Sequence, residues 1–274
     1  MPKIKVNDIA LWYEDHGIGT PLIFLHAFSV DNTMWLPQIS VLSEAGYRVI
    51  CVDLRGHGRS SAPSGSYSIP QMAADVYELV QQLHLEQVCV VGLSMGGRVA
   101  MHLALNYPGT LTALVLVSTK SEPAREIDAE LDRLIALSKR DGIYPAISQW
   151  YDRPNYRKLA FSAPRIVQQL LDEWQKKSPD GFIGAARAIL DMESVSSRLS
   201  EISVPTLSIA GELDEPCHPY VELYKRSIPN CSVGFVPEAA HFVNVENAKA
   251  FNQMLMKFLQ KVLDKRISAE NLVK

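Results

Sequence analysis

Short, continuous apolar segments alternate along the chain with longer segments whose apolar residues recur at helical spacing. Buried strands are predicted at residues 21–25, 48–52, 88–91 and 114–117, and two further strands at residues 206–210 and 231–236. Strands that are apolar throughout, rather than at alternate positions, are typical of a parallel sheet covered by helices on both faces. A further strand is predicted at residues 9–14, as an antiparallel edge. The pattern therefore predicts an α/β fold with a mostly parallel central sheet flanked by helices.

Helical periodicity accounts for most of the segments between these strands. Residues 69–84 place their apolar side chains on one face, which predicts a crossover helix between two parallel strands. A second helix is predicted from residue 95 to about residue 106, where Pro108 follows. Residues 248–263 form a final amphipathic pattern. Strands and helices thus alternate over most of the chain.

The alternation stops between residues 121 and 200, where strand signals disappear. Helices are predicted there at residues 129–139, 143–151, 164–177 and 181–197. We interpret residues 121–200 as an all-helical cap inserted into a core domain of residues 1–120 and 201–274. Its aromatic side chains either pack it onto the core, which we favour at any single position, or line a substrate pocket. They are Tyr144, Trp150, Tyr151, Tyr156, Phe161, Trp174 and Phe182.

Composition and charge exclude several classes of protein. Of the 274 residues, 47% are hydrophobic and 21% are charged, which is a globular rather than a disordered composition. The formal net charge is −3 and no basic run is long enough to follow a phosphate backbone, so no nucleic-acid partner is expected. The start of the sequence has no secretory pattern, and no stretch of about 18 apolar residues occurs. We expect a cytoplasmic protein without a membrane partner.

The cysteines and histidines predict neither disulfides nor a metal site. Cys51, Cys89, Cys217 and Cys231 form no C-x-x-C pair, and the first two lie in apolar strands, where cysteine serves as a small buried hydrophobe. The seven histidines are scattered without the spacing of a zinc site. We therefore expect reduced thiols, no metal and no cofactor.

One motif carries candidate chemistry. The strand at residues 88–91 leads into Gly92-Leu93-Ser94-Met95-Gly96-Gly97, a G-x-S-x-G sequence that opens a helix. A strand-to-helix turn this sharp forces the serine into a strained conformation, and glycine on either side avoids clashes with it. Ser94 would then lie exposed above the sheet, at a helix N-terminus that favours negative charge. This context predicts that Ser94 is a nucleophile.

A serine nucleophile needs a base, and the base needs an orienting carboxylate. Asp214 follows the strand at residues 206–210, and His241 follows the strand at residues 231–236. Both positions lie beyond the carboxyl ends of strands, where open α/β sheets build their sites. The order serine, acid, histidine also fits this architecture. We predict a Ser94–His241–Asp214 triad, with Glu212 and Glu215 as rival carboxylates.

The chain resembles the α/β-hydrolase fold family with a helical cap, from about residue 9 to residue 263. Besides G-x-S-x-G, the likeness rests on Leu25-His26-Ala27-Phe28 and on residues 53–60, Asp-Leu-Arg-Gly-His-Gly-Arg-Ser. The resemblance implies that the Phe28 and Met95 N–H groups bind the oxyanion. Ala27 stands where the family often has glycine, and its methyl group costs about 1 kcal/mol if the position needs a positive φ.

Within this family, Ser94 excludes the dehalogenase and epoxide hydrolase branches, which use an aspartate nucleophile. Leu93 departs from the asparagine of the C–C bond hydrolases, so that alternative ranks lower. Carboxylesterases and enol-lactonase-like enzymes resemble residues 92–97 best. Arg98 matches an arginine of 2-succinyl-6-hydroxy-2,4-cyclohexadiene-1-carboxylate synthase, a lyase that usually has tyrosine at the position of Leu93. We favour instead the interpretation that Arg98 pairs with a nearby acid.

The sequence thus predicts a serine hydrolase, a carboxylic ester hydrolase acting on a small to medium ester or lactone. The alternatives are the lyase, a C–C bond hydrolase and a ligand receptor that retains the triad. We expect Trp150, Arg98 and Leu93 to contact the substrate. The sequence makes no prediction of the oligomeric state.

Overall fold

The computed structural model describes residues 3–123 and 125–264. Its central element is an eight-stranded sheet. The strands are β1 (Lys3–Val6), β2 (Ile9–His16), β3 (Thr20–Leu25), β4 (Tyr47–Asp53), β5 (Val88–Leu93), β6 (Leu111–Val117), β7 (Thr206–Gly211) and β8 (Cys231–Val236). They are ordered β1-β2-β4-β3-β5-β6-β7-β8. The prediction of a mostly parallel sheet flanked by helices is confirmed.

Two antiparallel pairings occupy one side of this sheet. β2 pairs antiparallel with β4, and β1 pairs antiparallel with β2. The strand predicted at residues 9–14 is therefore antiparallel, but the prediction that it forms the edge is wrong. The edge strand is β1, which the sequence analysis did not predict. It has only four residues, and most of its side chains are exposed or half-buried, so no apolar run marks it in the sequence.

Helices connect the parallel strands. They are α1 (Leu36–Glu44), α2 (Ile69–Gln82), α3 (Met95–Asn106), α4 (Asp128–Asp141), α5 (Ile143–Tyr151), α6 (Pro154–Ser162), α7 (Pro164–Gln175), α8 (Asp180–Leu190), α9 (His218–Ser227), α10 (Val243–Glu246) and α11 (Ala248–Leu259). α2 packs against α3, and α1 packs against α11. The helix predicted at residues 181–197 ends earlier, at Leu190, and a 3-10 helix follows at Ser196–Glu201.

Five of these helices, α4 to α8, lie between β6 and β7. Their buried apolar side chains and those of the sheet belong to one continuous hydrophobic cluster. The division of the chain into a core domain and a separate cap stays a prediction, and we call residues 121–200 the helical insertion. No helix among the described residues has the length and apolar character needed to cross a bilayer.

Candidate active site

Ser94 lies in the sharp turn between β5 and α3. Its backbone has φ 54° and ψ −111°, a conformation that costs a non-glycine residue on the order of 1–3 kcal/mol. Two hydrogen bonds hold the residue there. The Ser94 N–H donates to the Val117 carbonyl at 2.9 Å, and the Thr119 hydroxyl donates to the Ser94 carbonyl at 2.7 Å. The end of β6 therefore supports the strained turn.

Glycine is required around this turn because other backbone passes very close. A Cβ on Gly96 would contact the backbone of Leu25 and lie 2.8 Å from the His26 carbonyl oxygen. A Cβ on Gly92 would lie 2.6 Å from the Gly97 nitrogen. These contacts fall below the distances that side chains tolerate, so the two glycines of the motif allow α3 to start against β3.

His241 and Asp214 meet beyond the ends of β8 and β7. The His241 Nδ1 and the Asp214 Oδ2 atoms are 3.0 Å apart. Burial raises the pKa of the Asp214 carboxyl, but the His241 ring and hydrogen bonds, including one from the Cys217 thiol, lower it to about 2. Asp214 is therefore an ionised hydrogen-bond acceptor for the imidazole at neutral pH.

The rival carboxylates take no part in this pairing. Glu212 and Glu215 are both exposed. Glu212 instead accepts a hydrogen bond from the backbone N–H of Glu238 at 3.2 Å. Of the three candidate acids, Asp214 is thus the one that contacts His241.

A cavity of about 460 Å³ brings the predicted site residues together. Ser94, Asp214 and His241 line it, as do Phe28 and Met95. Among the described residues, the backbone N–H of Phe28 has no hydrogen-bond partner. Met95 is the first residue of α3, and a first helical N–H has no partner within its own helix. Both residues that the resemblance assigns to the oxyanion therefore line the cavity with Ser94, and their role as donors stays a prediction.

The cavity lining includes one of two predicted substrate contacts, Trp150 and Leu93, and leaves out two aromatic residues of the insertion. Trp150 lines the cavity, with its ring 5.2 Å from that of Phe28. Leu93, the last residue of β5, is fully buried and is not among the residues that line the cavity, so the structure gives no support to its predicted substrate contact. Tyr144 and Phe161 are 47% and 89% exposed and lie outside the cavity lining.

Arg98 lines the cavity as expected, but its environment is not the one we favoured. The side chain is buried, and its Nη1 atom contacts the Met192 sulfur at 2.8 Å. Among the described residues no carboxylate forms an ion pair with it, so the expected acidic partner is absent from that part of the chain. Burial lowers the pKa of the guanidinium. Lys120, another cation that lines the cavity, is paired with Glu126.

The sequence analysis named Tyr156 among the aromatic residues of the insertion but missed its helix, and it missed Lys120 altogether. Tyr156 lies on α6, a helix that we did not predict because Pro154 resembles a helix break. Pro154 is in fact the first residue of α6, a position that proline favours. Lys120 follows β6 without any motif that could have marked it.

Three side chains could hold a metal ion. Donor atoms of Asp214, Cys217 and His241 all lie within 4.8 Å of one another. They already form hydrogen bonds with each other, because both His241 and Cys217 bond to the Asp214 carboxylate. The expectation of a site without metal stays a prediction.

Comparison with known proteins identifies the family. A family model described as the α/β-hydrolase fold matches residues 20–248. The chain belongs to this family. Curated relatives of this α/β hydrolase cover nearly its whole length. One from Acinetobacter baylyi, 3-oxoadipate enol-lactonase 2, is 31% identical over 255 residues, covering 91% of this chain and 92% of the relative.

Two further relatives carry other names. A Bacillus subtilis protein, provisionally named 2-succinyl-6-hydroxy-2,4-cyclohexadiene-1-carboxylate synthase, is 32% identical over 95% of this chain and 98% of its own. A Synechocystis protein, provisionally named a non-heme chloroperoxidase, is 32% identical over 95% of this chain and 100% of its own. Relatives at similar identity thus have names from different reaction classes.

Solved structures give the same result. A thermophilic esterase from Thermogutta terrifontis superposes with a TM-score of 0.83 at 30% identity, covering 93% of this chain and 94% of the esterase. An enol-lactonase from Burkholderia xenovorans superposes with a TM-score of 0.84 at 26% identity, covering 94% of this chain and 100% of that enzyme. Esterases and lactonases are therefore among the structural neighbours of this α/β hydrolase.

Proposed function

We propose that this α/β hydrolase cleaves a small to medium carboxylic ester or lactone through an acyl-enzyme intermediate on Ser94. The observation that carries the proposal is the strained, half-buried Ser94 sharing one cavity with the hydrogen-bonded His241–Asp214 pair. The esterase and enol-lactonase among the similar proteins support the reaction class.

In the proposed reaction, His241 takes the hydroxyl proton of Ser94 as the oxygen attacks the carbonyl carbon. The Phe28 and Met95 N–H groups bind the resulting oxyanion, and each such donor contributes on the order of 3 kcal/mol to the transition state. The C–O bond then breaks, and the leaving alcohol receives the proton from His241. A water molecule, deprotonated by His241, releases the acid and regenerates Ser94. Asp214 holds the imidazole in the required tautomer.

Covalent labelling tests the nucleophile. A fluorophosphonate probe should add one equivalent to the wild type and none to Ser94→Ala, since no other serine shares the predicted base. Ser66→Ala, at an exposed serine outside the cavity lining, is the control; it should label like the wild type. Equal labelling of Ser94→Ala would remove Ser94 from the mechanism. Labelling without turnover of any ester or lactone would instead favour the ligand receptor.

Arg98 supports a second candidate function, a lyase that uses the same triad as a base on a carboxylate-rich substrate. The Arg98 guanidinium is buried and forms no ion pair with a carboxylate of the described residues, although Glu126 lies near enough to raise its pKa, so it can bind a substrate carboxylate. The Bacillus subtilis relative carries the name of such an enzyme. Isotope labelling separates the two reactions: in water enriched in oxygen-18, hydrolysis places solvent oxygen in the acid product, whereas elimination does not.

Matched esters test Arg98 itself. A butyrate aryl ester and a succinate aryl monoester differ by the free carboxylate of the second. Arg98→Met should lower kcat/KM for the succinate ester about 10- to 100-fold and change the butyrate value little, because a charge-assisted hydrogen bond contributes about 1.5–3 kcal/mol. An equal change for both esters would exclude Arg98 as a carboxylate-binding residue.

A further inference from the structure

The loop that carries Phe28 is fixed by an unusual number of hydrogen bonds. It leads from the end of β3 at Leu25 to a 3-10 turn that begins at Asn32. Ser29 within it is fully buried and has φ 62°, a left-handed conformation that is uncommon outside glycine. A loop in this conformation needs support from its surroundings to persist.

Three aromatic side chains of the helical insertion supply that support. The Tyr156 hydroxyl donates to the Phe28 carbonyl at 2.8 Å. The Tyr151 hydroxyl donates to the Ser29 carbonyl at 2.7 Å, and the Trp174 Nε1–H donates to the same oxygen at 2.8 Å. The donors come from α6, α5 and α7, and each side chain is at most 7% exposed. We call these three residues the aromatic clamp.

Two histidines also bind the loop. The Ser29 N–H donates to His57 Nε2 at 3.2 Å, and His57 Nδ1 is 3.1 Å from the Arg55 carbonyl. His57 is therefore neutral with its proton on Nδ1, and burial lowers its pKa well below the usual value. In the same way, His26 Nδ1 donates to the Ala27 carbonyl at 2.7 Å while its Nε2 accepts from the Leu54 N–H.

These bonds fix three consecutive peptide planes. The plane between Ala27 and Phe28 is bound by His26, and the plane between Phe28 and Ser29 is bound by Tyr156 and His57. The plane after Ser29 is bound by the other two clamp residues. The Phe28 N–H lies in the first of these planes, and the second and third planes hold that plane in orientation through the backbone angles of Phe28 and Ser29. That N–H has no hydrogen-bond partner in the described structure, and neither has the Val30 N–H of the third plane.

We propose that Tyr151, Tyr156 and Trp174 are positioning residues that orient the Phe28 N–H for the oxyanion. This inference rests on the proposed function. The helical insertion would then contribute to the chemical step, through a loop of the sheet domain, in addition to covering the cavity. Because a misplacement of about 1 Å can lower a rate about 100-fold, the clamp would act mainly on the transition state and little on substrate binding.

Removal of single hydroxyl groups tests the proposal. Tyr156→Phe and Tyr151→Phe keep the rings and delete one donor each, while Tyr144→Phe, on the exposed side of α5, is the matched control. We expect kcat to fall about tenfold in each clamp variant and about 100-fold in the double variant, with KM nearly unchanged. The control should behave as the wild type.

A transition-state analogue provides a readout that a purely structural role would not move. An aryl trifluoromethyl ketone forms a hemiketal whose oxyanion occupies the same donors, whereas the product carboxylic acid binds without one. The inhibition constant of the ketone should rise in parallel with the fall in kcat, while that of the acid should not change. Trp174→Phe, which deletes the third donor, supplies the same test if a tyrosine variant fails to fold.

The outcomes distinguish this proposal from the proposed function. If fluorophosphonate labels Ser94 in the wild type and the clamp variants retain wild-type kcat and ketone affinity with a lowered Tm, the clamp only docks the insertion and the positioning role is overturned. If wild-type Ser94 does not react with the probe, the proposed function itself fails, whatever the clamp variants do.

Discussion

The carboxyl ends of the parallel strands, which we call the sheet edge below, and the helical insertion contribute to the cavity in different ways. Ser94, Asp214 and His241 each lie in the segment that directly follows a parallel strand, so strand register and turn geometry place them. Trp150 and the aromatic clamp lie on helices and reach the site by tertiary packing, over separations of more than 100 residues for the clamp bonds. The proposed reacting groups are therefore positioned locally, whereas the shape around them depends on long-range packing.

The comparison predicts a difference between substitutions in the two regions. At the sheet edge they should remove the chemical step itself. In the insertion they should change selectivity or reduce the rate by smaller factors, because the reacting groups remain in place.

The largest expected effect is that of Asp214→Asn. The variant should lower kcat on the order of 10⁴-fold, because the imidazole loses the carboxylate that selects its tautomer. Glu212→Gln and Glu215→Gln are the matched controls and should retain nearly wild-type kcat with the same aryl ester. Near wild-type turnover in Asp214→Asn, with a large loss in one of the controls, would reassign the acid.

Gly96→Ala tests the local turn. The added methyl group would meet the backbone of Leu25 and His26, which cannot move without displacing β3. We expect kcat/KM to fall at least about 100-fold, since Ser94 and the Met95 N–H would both shift. Gly109→Ala, at φ +92° with no atom within 4 Å of the added carbon, should cost about 1 kcal/mol of stability and leave kcat unchanged. Similar kinetics in both variants would show that the turn tolerates displacement.

The same distinction explains what the sequence could predict. The strand before Ser94 is continuously apolar, the strands before Asp214 and His241 are short segments rich in apolar residues, and α3 and α5 begin and end where periodicity places them. Ser94, Asp214 and His241 could be selected because each follows a recognisable strand. Local sequence carries this information, since strand and turn signals arise within a few residues.

The long-range features could not be predicted from local signals. Nothing near Tyr156 indicates that its hydroxyl bonds to the Phe28 carbonyl, 128 residues away. The contact of Arg98 with the Met192 sulfur, in place of an ion pair with a carboxylate of the described residues, is likewise a property of the packed structure. Burial of Leu93 was also missed, since the sequence gives its proximity to Ser94 but not the direction of its side chain.

Trp150→Ala tests whether the insertion sets selectivity. Removal of a cavity-lining indole should change the ratio of kcat/KM for a long and a short acyl ester by about 1–3 kcal/mol, which corresponds to roughly 5- to 150-fold. Tyr144→Ala, also on α5 but 47% exposed, should leave the ratio unchanged. A lowered Tm with an unaltered ratio in Trp150→Ala would make Trp150 a packing residue only.

The smallest expected effect lies on α3, behind the turn that holds Ser94. His102 is 7% exposed, and neither ring nitrogen has a hydrogen-bond partner among the described residues. Burial, with a smaller effect of Arg198, lowers its pKa to about 4 from the usual 6.5. Between these two values the unfolded chain binds a proton that the folded chain does not, so this histidine lowers the free energy of unfolding as pH falls from 6.5 towards 4.

His102→Leu removes that titration and leaves the site residues in place. The difference in free energy of unfolding, variant minus wild type, should be larger at pH 5 than at pH 7.5. The increase should be on the order of 1 kcal/mol after allowance for solvent screening. Urea denaturation from pH 4.5 to 7.5 measures this difference, and His26, His57 and Asp53, which are present in both proteins, cancel from it. Because the turn at Ser94 is held by Val117 and Thr119, kcat at pH 7.5 should not change. If the free energies of unfolding of variant and wild type changed with pH in parallel, the titration of His102 would be contradicted. A large loss of kcat would show that the site depends on the interior of α3 as well as on the turn at Ser94.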